Sequence, residues 1–150
     1  MLTIHTADEV RRTWDDDAEP VKDGAVVVDG TRVVGLGTLA EVRERFPGAR
    51  VRSWPGVLGP GRVHEGPLPD APSPRERVHA VLKSGAVAVL ARYADTAELR
   101  AAAQRNDVVV LPEPRPTTLV DTGRADLTVF DHSGTCMATV CAGRLVHRRR

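Results

Sequence analysis

The chain has 150 residues, 41% hydrophobic and 27% charged, with a net charge of +1. This profile fits one ordinary globular domain, or a small domain with an embedded subdomain, able to bury a core without disulfides or metals. It predicts no overall field drawing the chain to nucleic acid or a membrane, and no stretch approaches the ~20 apolar residues that span a bilayer. Aromatic residues make up only 3%, so Val, Leu and Ala must build the core, and stacking surfaces for bases or sugars are scarce.

Met1 to Thr6 alternates as a short strand does. Met1 to Asp8 lacks the basic and then apolar design of a signal peptide, which predicts a cytoplasmic protein. Asp15, Asp16 and Asp17 form an acidic run without Gly-hinged EF-hand spacing, so it reads as a solvated loop. Two β-branched runs, Gly24 to Asp29 and Thr31 to Leu36, flank an Asp29-Gly30 turn, a strong hairpin signal. Thr38 and Glu41 form a capping box that opens a helix to about Phe46, which Pro47-Gly48 ends. Ala49 to Trp54 is a further predicted strand, leading into the Pro55 to Gly61 segment.

Pro67 to Pro74 is a proline-rich loop. Ser73, Pro74 and Glu76 then supply an N-cap, a first-turn proline and the capping-box partner. The helix that follows carries Val78, Val81 and Leu82 on one face and stops at Gly85. Ala86 to Ala91 reads as a strand buried on both sides. Thr96 to Arg105 is another helix, and Val108 to Leu111 another buried strand, an alternation typical of parallel α/β structure. After the Pro112 to Pro116 break, short strands are predicted at Thr118 to Val120, at Leu127 to Phe130, and at Met137 to Val146 with a turn at Gly143. Arg148 to Arg150 reads as a frayed tail. Cys136 and Cys141 stand five apart in a β-like segment, and odd spacing points them to opposite faces. That predicts structural thiols rather than a disulfide or a shared metal.

Three stretches together resemble the amidohydrolase superfamily, in particular its imidazolonepropionase-like and aminofutalosine deaminase-like members. Asp23 to Gly37 is similar to their N-terminal hairpin, and Leu58-Gly-Pro-Gly-Arg-Val63 to their entry into the first barrel strand. Thr122 to Asp131, with its Ala125-Asp126-Leu127, and Val140 to Val146, with its Gly143-Arg144, resemble their C-terminal return. The resemblance implies a mixed α/β (α+β) fold. A composite β-sandwich would come from residues 1–60 and 117–150, with a truncated α/β barrel remnant, 61–116, inserted between them.

The departures bear on function. In that family the first barrel strand ends in His-x-His, which holds a divalent metal. Aligned on Pro60-Gly61, those places fall on Gly66 and Leu68, and neither side chain can donate to a metal. Roughly 50 residues lie between this strand and the C-terminal return, whereas a complete (β/α)8 barrel takes ~250. No metal, no cofactor and no metal-dependent hydrolysis are therefore expected.

Other constellations carry less. Gly35-Leu-Gly-Thr-Leu-Ala40 matches a dinucleotide pattern, but it follows a hairpin strand and lacks an acidic residue about 20 positions on. His64 and Glu65 are the one ionisable pair beside the family's metal position, an acid/base candidate set against a plain polar loop. His79 lies on a predicted helix, while His5, His132 and His147 form no pattern. Three readings follow: a non-catalytic amidohydrolase-like binding or assembly module, an accessory subunit of a full-length amidohydrolase, and a small enzyme repurposed around His64 and Glu65. The inserted strands lack barrel neighbours, so homo-oligomerisation or docking on a protein partner is expected. The ligand is not legible.

Overall fold

Apolar alternation along the strands decides which faces are buried, and two sheets result. In a computed structural model, which describes residues 1–15 and 17–150, the chain begins with β1 (Leu2–Val10) and β2 (Val21–Lys22). Then come β3 (Gly24–Asp29), β4 (Arg32–Thr38), α1 (Leu39–Arg45) and β5 (Arg50–Pro60). Next are β6 (Arg62–His64), α2 (Pro74–Lys83), β7 (Ala86–Leu90), α3 (Ala97–Arg105) and β8 (Val109–Leu111). The chain closes with β9 (Leu127–Phe130), β10 (Cys136–Cys141) and β11 (Arg144–Arg148). Asp16, the middle of the acidic run, lies outside the described residues.

The large sheet has the order β11-β10-β9-β5-β1-β3-β4, with β2 also paired to β1. Its parallel pair, β1 with β5, joins antiparallel neighbours on both sides. On one face Ile4 packs with Ala25, Val27 and Val42 of α1, beneath Phe46. On the other, Ala7, Val26, Trp54, Leu58, Leu127 and Val129 form the main core. The sheet curls until β4 meets the segment before β9. Val33 N–H donates to Gly123 O, Thr122 N–H to Val33 O, and Ala125 N–H to Thr31 O. Gly143 N–H then donates to Ala125 O, and Gly143 lies against the carbonyl of Gly30 with a φ of +83°. This is a mixed α+β, sheet-dominated fold: a composite sandwich of N- and C-terminal strands with a short helical insertion.

The insertion holds the second sheet, β6-β7-β8, all parallel. All five residues of β7 are buried. Val87 and Val89 pack with Val78, Val81, Leu82, Leu99 and Ala102 of α2 and α3. α2 is started as the sequence predicts, and α3 is capped in the same way by Thr96, which the sequence reading places inside the helix. Ser73 Oγ accepts from Glu76 N–H and Thr96 Oγ1 from Leu99 N–H, each relieving a helix-end donor. Thr38 and Glu41 make the full reciprocal capping box of α1. The dinucleotide-like Gly35 and Gly37 lie in β4, antiparallel to β3, where Gly35 faces Val27 and Phe46.

Four expectations need correction. Thr118 to Val120 is not a strand: Leu119 is buried and donates to Arg12 O, while Val120 is half exposed. β1 runs on to Val10 and pairs beyond its middle with β2, a strand too short to carry a sequence pattern. β5 continues through Pro55 and Gly56 to Pro60. A bulge permits this, because Pro55 and Gly56 together oppose Asp8, where the register steps from Ala7–Trp54 to Glu9–Val57. Gly56 takes a φ of +95°, and its N–H donates to Asp8 Oδ2 at 2.9 Å. Finally, Arg148 is no frayed residue, since it pairs with Ala138 at the end of β11.

Candidate functional site

Alternation leaves the small sheet a second face. Opposite the helices it presents Ala88, Leu90 and Leu111, with Val63, Tyr93 and Val109 packed beside them. Two adjoining cavities, about 380 and 320 Å³, lie between this face and the segment Arg115 to Thr118, which lines both of them together with Val63. They form one groove with an aliphatic floor and a polar rim.

Arg62 dominates the rim. Its guanidinium carbon lies 4.7 Å from the Trp14 ring centroid and 4.4 Å from that of Phe130. The two rings meet edge to face at 5.5 Å, an arrangement that fixes a cation by the ring quadrupoles. Trp14 Nε1–H donates to Pro60 O at 2.7 Å. Gly59 makes room for this, because a Cβ there would overlap the indole. Thus the turn after β1 sends an aromatic wall across the end of β5, and Arg62, first in β6, lies on it. Arg115, Glu65 and Asp15 complete the charged lining.

At the other end of the groove Arg124 Nε–H donates to Asp126 Oδ2 at 2.8 Å, and Asp126 Oδ1 accepts from Ala142 N–H at 2.9 Å. This pair ties the strand entering β9 to the turn between β10 and β11.

The residues singled out from sequence are dispersed. Glu65 is exposed and lines the groove, whereas His64 shares a hydrogen bond with Pro67 O at 2.9 Å through Nε2 and is not among the lining residues. Leu68 is buried in the core between α2 and α3. Open space surrounds Gly66. His79 is exposed on α2, beside Glu76 and Asn106. His5 is buried and its Nδ1 accepts from Trp54 Nε1–H at 3.2 Å; burial first, then Arg52, pushes its pKa down to about 4. His147 contacts Cys136 O, and His132 is exposed. Cys136 and Cys141 are free and buried, and burial pushes the Cys141 thiol up to about 11, away from nucleophilic use at neutral pH.

A resident metal of the kind implied by the resemblance does not fit these residues. Tight divalent sites need about three convergent donors, and among the described residues no three His, Cys, Asp or Glu side chains are grouped to supply them. The groove floor is hydrocarbon. The sequence reading missed Trp14, Arg62 and Arg115; the one available signal was Trp14 itself, one of only two tryptophans in an aromatic-poor chain.

The bacterial imidazolonepropionase-like composite domain matches residues 24–49, which hold the β3–β4 hairpin and α1. No curated protein matches the sequence. Among solved structures, Helicobacter pylori aminofutalosine deaminase aligns with a TM-score of 0.53 at 18% identity, over 73% of this chain and 32% of its own. E. coli guanine deaminase aligns at 0.56 and 15%, over 73% and 35%. An adenosine deaminase from Xanthomonas campestris with bound zinc aligns at 0.55 and 19%, over 73% and 33%. The chain thus spans about a third of the length of these structures. No helix among the described residues is long and apolar enough to cross a membrane. Residues 24–49 match the model of the bacterial imidazolonepropionase-like composite domain, and the fold is similar to part of the deaminase structures named above.

Proposed function

We propose that this chain is a non-catalytic, amidohydrolase-like protein that acts as a binding or assembly module. The observation that carries this reading is the chemistry of the groove floor. Where a metal-dependent hydrolase needs imidazoles and carboxylates to hold an ion and activate water, β6, β7 and β8 present Val63, Val87, Ala88 and Val109. The groove retains the features of a ligand site: an apolar floor, the Trp14 ring, and a few charged groups led by Arg62.

The test is the metal content of untagged, purified protein by elemental mass spectrometry, beside a hydrolysis assay on aminated purines. Substoichiometric zinc, iron and manganese with no turnover is the expected result. One tightly held metal per chain overturns the reading and sends mutagenesis to His64, Glu65 and His79.

A second observation favours the assembly half of the proposal, and with it the accessory-subunit reading. Among the described residues β6 and β8 each pair only with β7, so the small sheet keeps two edges with backbone groups free to pair. Light scattering on the purified chain should therefore report a dimer, or else a complex once the partner enzyme is added. A monomer under both conditions removes assembly from the proposal. The small-enzyme reading keeps Glu65 on the groove rim but draws no support from His64, which is engaged with Pro67.

A further inference from the structure

We propose that the end of the large sheet where Arg50, Arg52 and Arg148 converge is a binding site for a multivalent phosphate-type oxyanion. Strand register builds it. β1 and β5 run parallel with Thr3 opposite Arg50, His5 opposite Arg52 and Ala7 opposite Trp54. Period-two alternation puts Arg50, Arg52 and Trp54 on one face. Arg148 arrives from β11, three strands away in the sheet order, and its guanidinium carbon lies 5.6 Å from the Trp54 ring centroid. Curling of the sheet thus brings charges from two distant strands to one indole.

Nothing among the described residues neutralises them. The ion pairs there join Met1 to Asp29, Arg124 to Asp126 and Arg144 to Asp107, and none includes the cluster. Asp29 of β3 pairs with Leu2, one residue out of phase with Thr3 and His5, so its side chain takes the opposite face. His5 is neutral at pH 7 and supplies no counterion. Arg52 responds to the crowding: its pKa is lowered, by burial first and then by Arg50 and Arg148. The whole chain carries only +1, so this density is local.

Like charges held together without partners repel, and an anion that bridges them reverses the sign of that interaction. Guanidinium groups match phosphate oxygens in paired hydrogen bonds, and stacking on an indole holds one of them in place. A monovalent carboxylate would balance one charge of the three, whereas a diphosphate-class ligand spans them. Nucleic acid is the poorer occupant. Trp54 is buried, with Arg148 already over its ring, so no aromatic face here is open to a base. This site is separate from the groove, and its fate does not depend on the module reading.

The test is a titration of the full, isotope-labelled chain with inorganic pyrophosphate at low salt, followed by NMR. The two tryptophans give two indole N–H signals. The Trp54 signal, from the group bonded to His5, should shift and saturate, while the Trp14 signal stays. Arg148→Gln and Arg50→Gln, both at exposed positions that leave the core intact, should each weaken binding about tenfold, and Arg52→Gln at least as much. Arg105→Gln, on the distant helix α3, should leave affinity unchanged. Absence of a saturable shift, or equal affinity in Arg50→Gln and Arg148→Gln, overturns the proposal. So does a single-stranded oligonucleotide that binds the same residues more tightly than pyrophosphate.

Discussion

The eight-stranded and three-stranded sheets are stabilised on different terms. In the large sheet a short turn joins β3 to β4 and another joins β10 to β11, β1 has partners on both sides, and the last gap is closed by backbone hydrogen bonds between Thr31 and Val33 of one segment and Thr122, Gly123 and Ala125 of the other. Its order is largely self-contained. The small sheet has two edges, helices on one face and an open groove on the other. Its strands stay put because α2 and α3 cover them and because they are tethered to the large sheet. Gly61 N–H donates to Asp126 O, and Thr139 Oγ1–H to Leu82 O at 2.7 Å. Closure protects a sheet outright, whereas an open sheet depends on what lies over it, and that is where a ligand or partner has most to offer.

This contrast can be broken by experiment. Gly143→Val places a branched side chain at a φ of +83° against the Gly30 carbonyl. It should cost about 4 kcal/mol or more in urea unfolding, and a variant as stable as the parent would show that closure contributes little. Leu90→Ala removes a buried side chain that packs with Ala88 and Leu111 and should cost about 3 kcal/mol. In that variant fluorescence and far-ultraviolet circular dichroism should still report one transition, because the tethers couple the sheets; two separated transitions would make the small sheet an independent unit.

Acid titration probes the large sheet alone. His5 falls from an ordinary 6.5 to about 4 in the folded protein through burial, then Arg52. The unfolded chain therefore takes up a proton that the folded one refuses. Stability from this source is complete above pH 6.5 and drains away as pH falls to about 4, a loss on the order of 3 kcal/mol. His5→Gln should flatten that slope in denaturation curves recorded across the range. The smallest effect belongs to Thr96→Ala, which removes the cap of α3 and should cost about 1 kcal/mol, seen in the midpoint alone.

Local chemistry was legible in the sequence and long-range geometry was not. Asp29-Gly30, Thr38 with Glu41, Ser73 with Pro74, and the apolar run of β7 act within a few residues, so each reads directly as a turn, a cap or a buried strand. Pro55-Gly56 reads as a break, yet β5 passes through it because Asp8, 48 residues earlier, lends a carboxylate to the Gly56 amide. Leu119 carries an apolar signal that is spent on burial, without a neighbour to make it a strand. The groove was hidden for the same reason. Trp14, Arg62, Arg115 and Phe130 are far apart in the chain, and their meeting depends on the curl of the large sheet.

Pro60 and Leu127 face each other as partners on β5 and β9, and the next residues inward, Gly61 and Asp126, are hydrogen bonded as well. The polypeptide leaves the sandwich and returns to it at the same point. Whatever lies between is held like a loop in a clasp, and the entropy of closing such a loop rises only slowly with its length. Segments of very different size can be hung from this clasp without disturbing the strands that form it. The same property makes the 61–126 span a natural place to splice in foreign sequence and to let the sandwich serve as its mount.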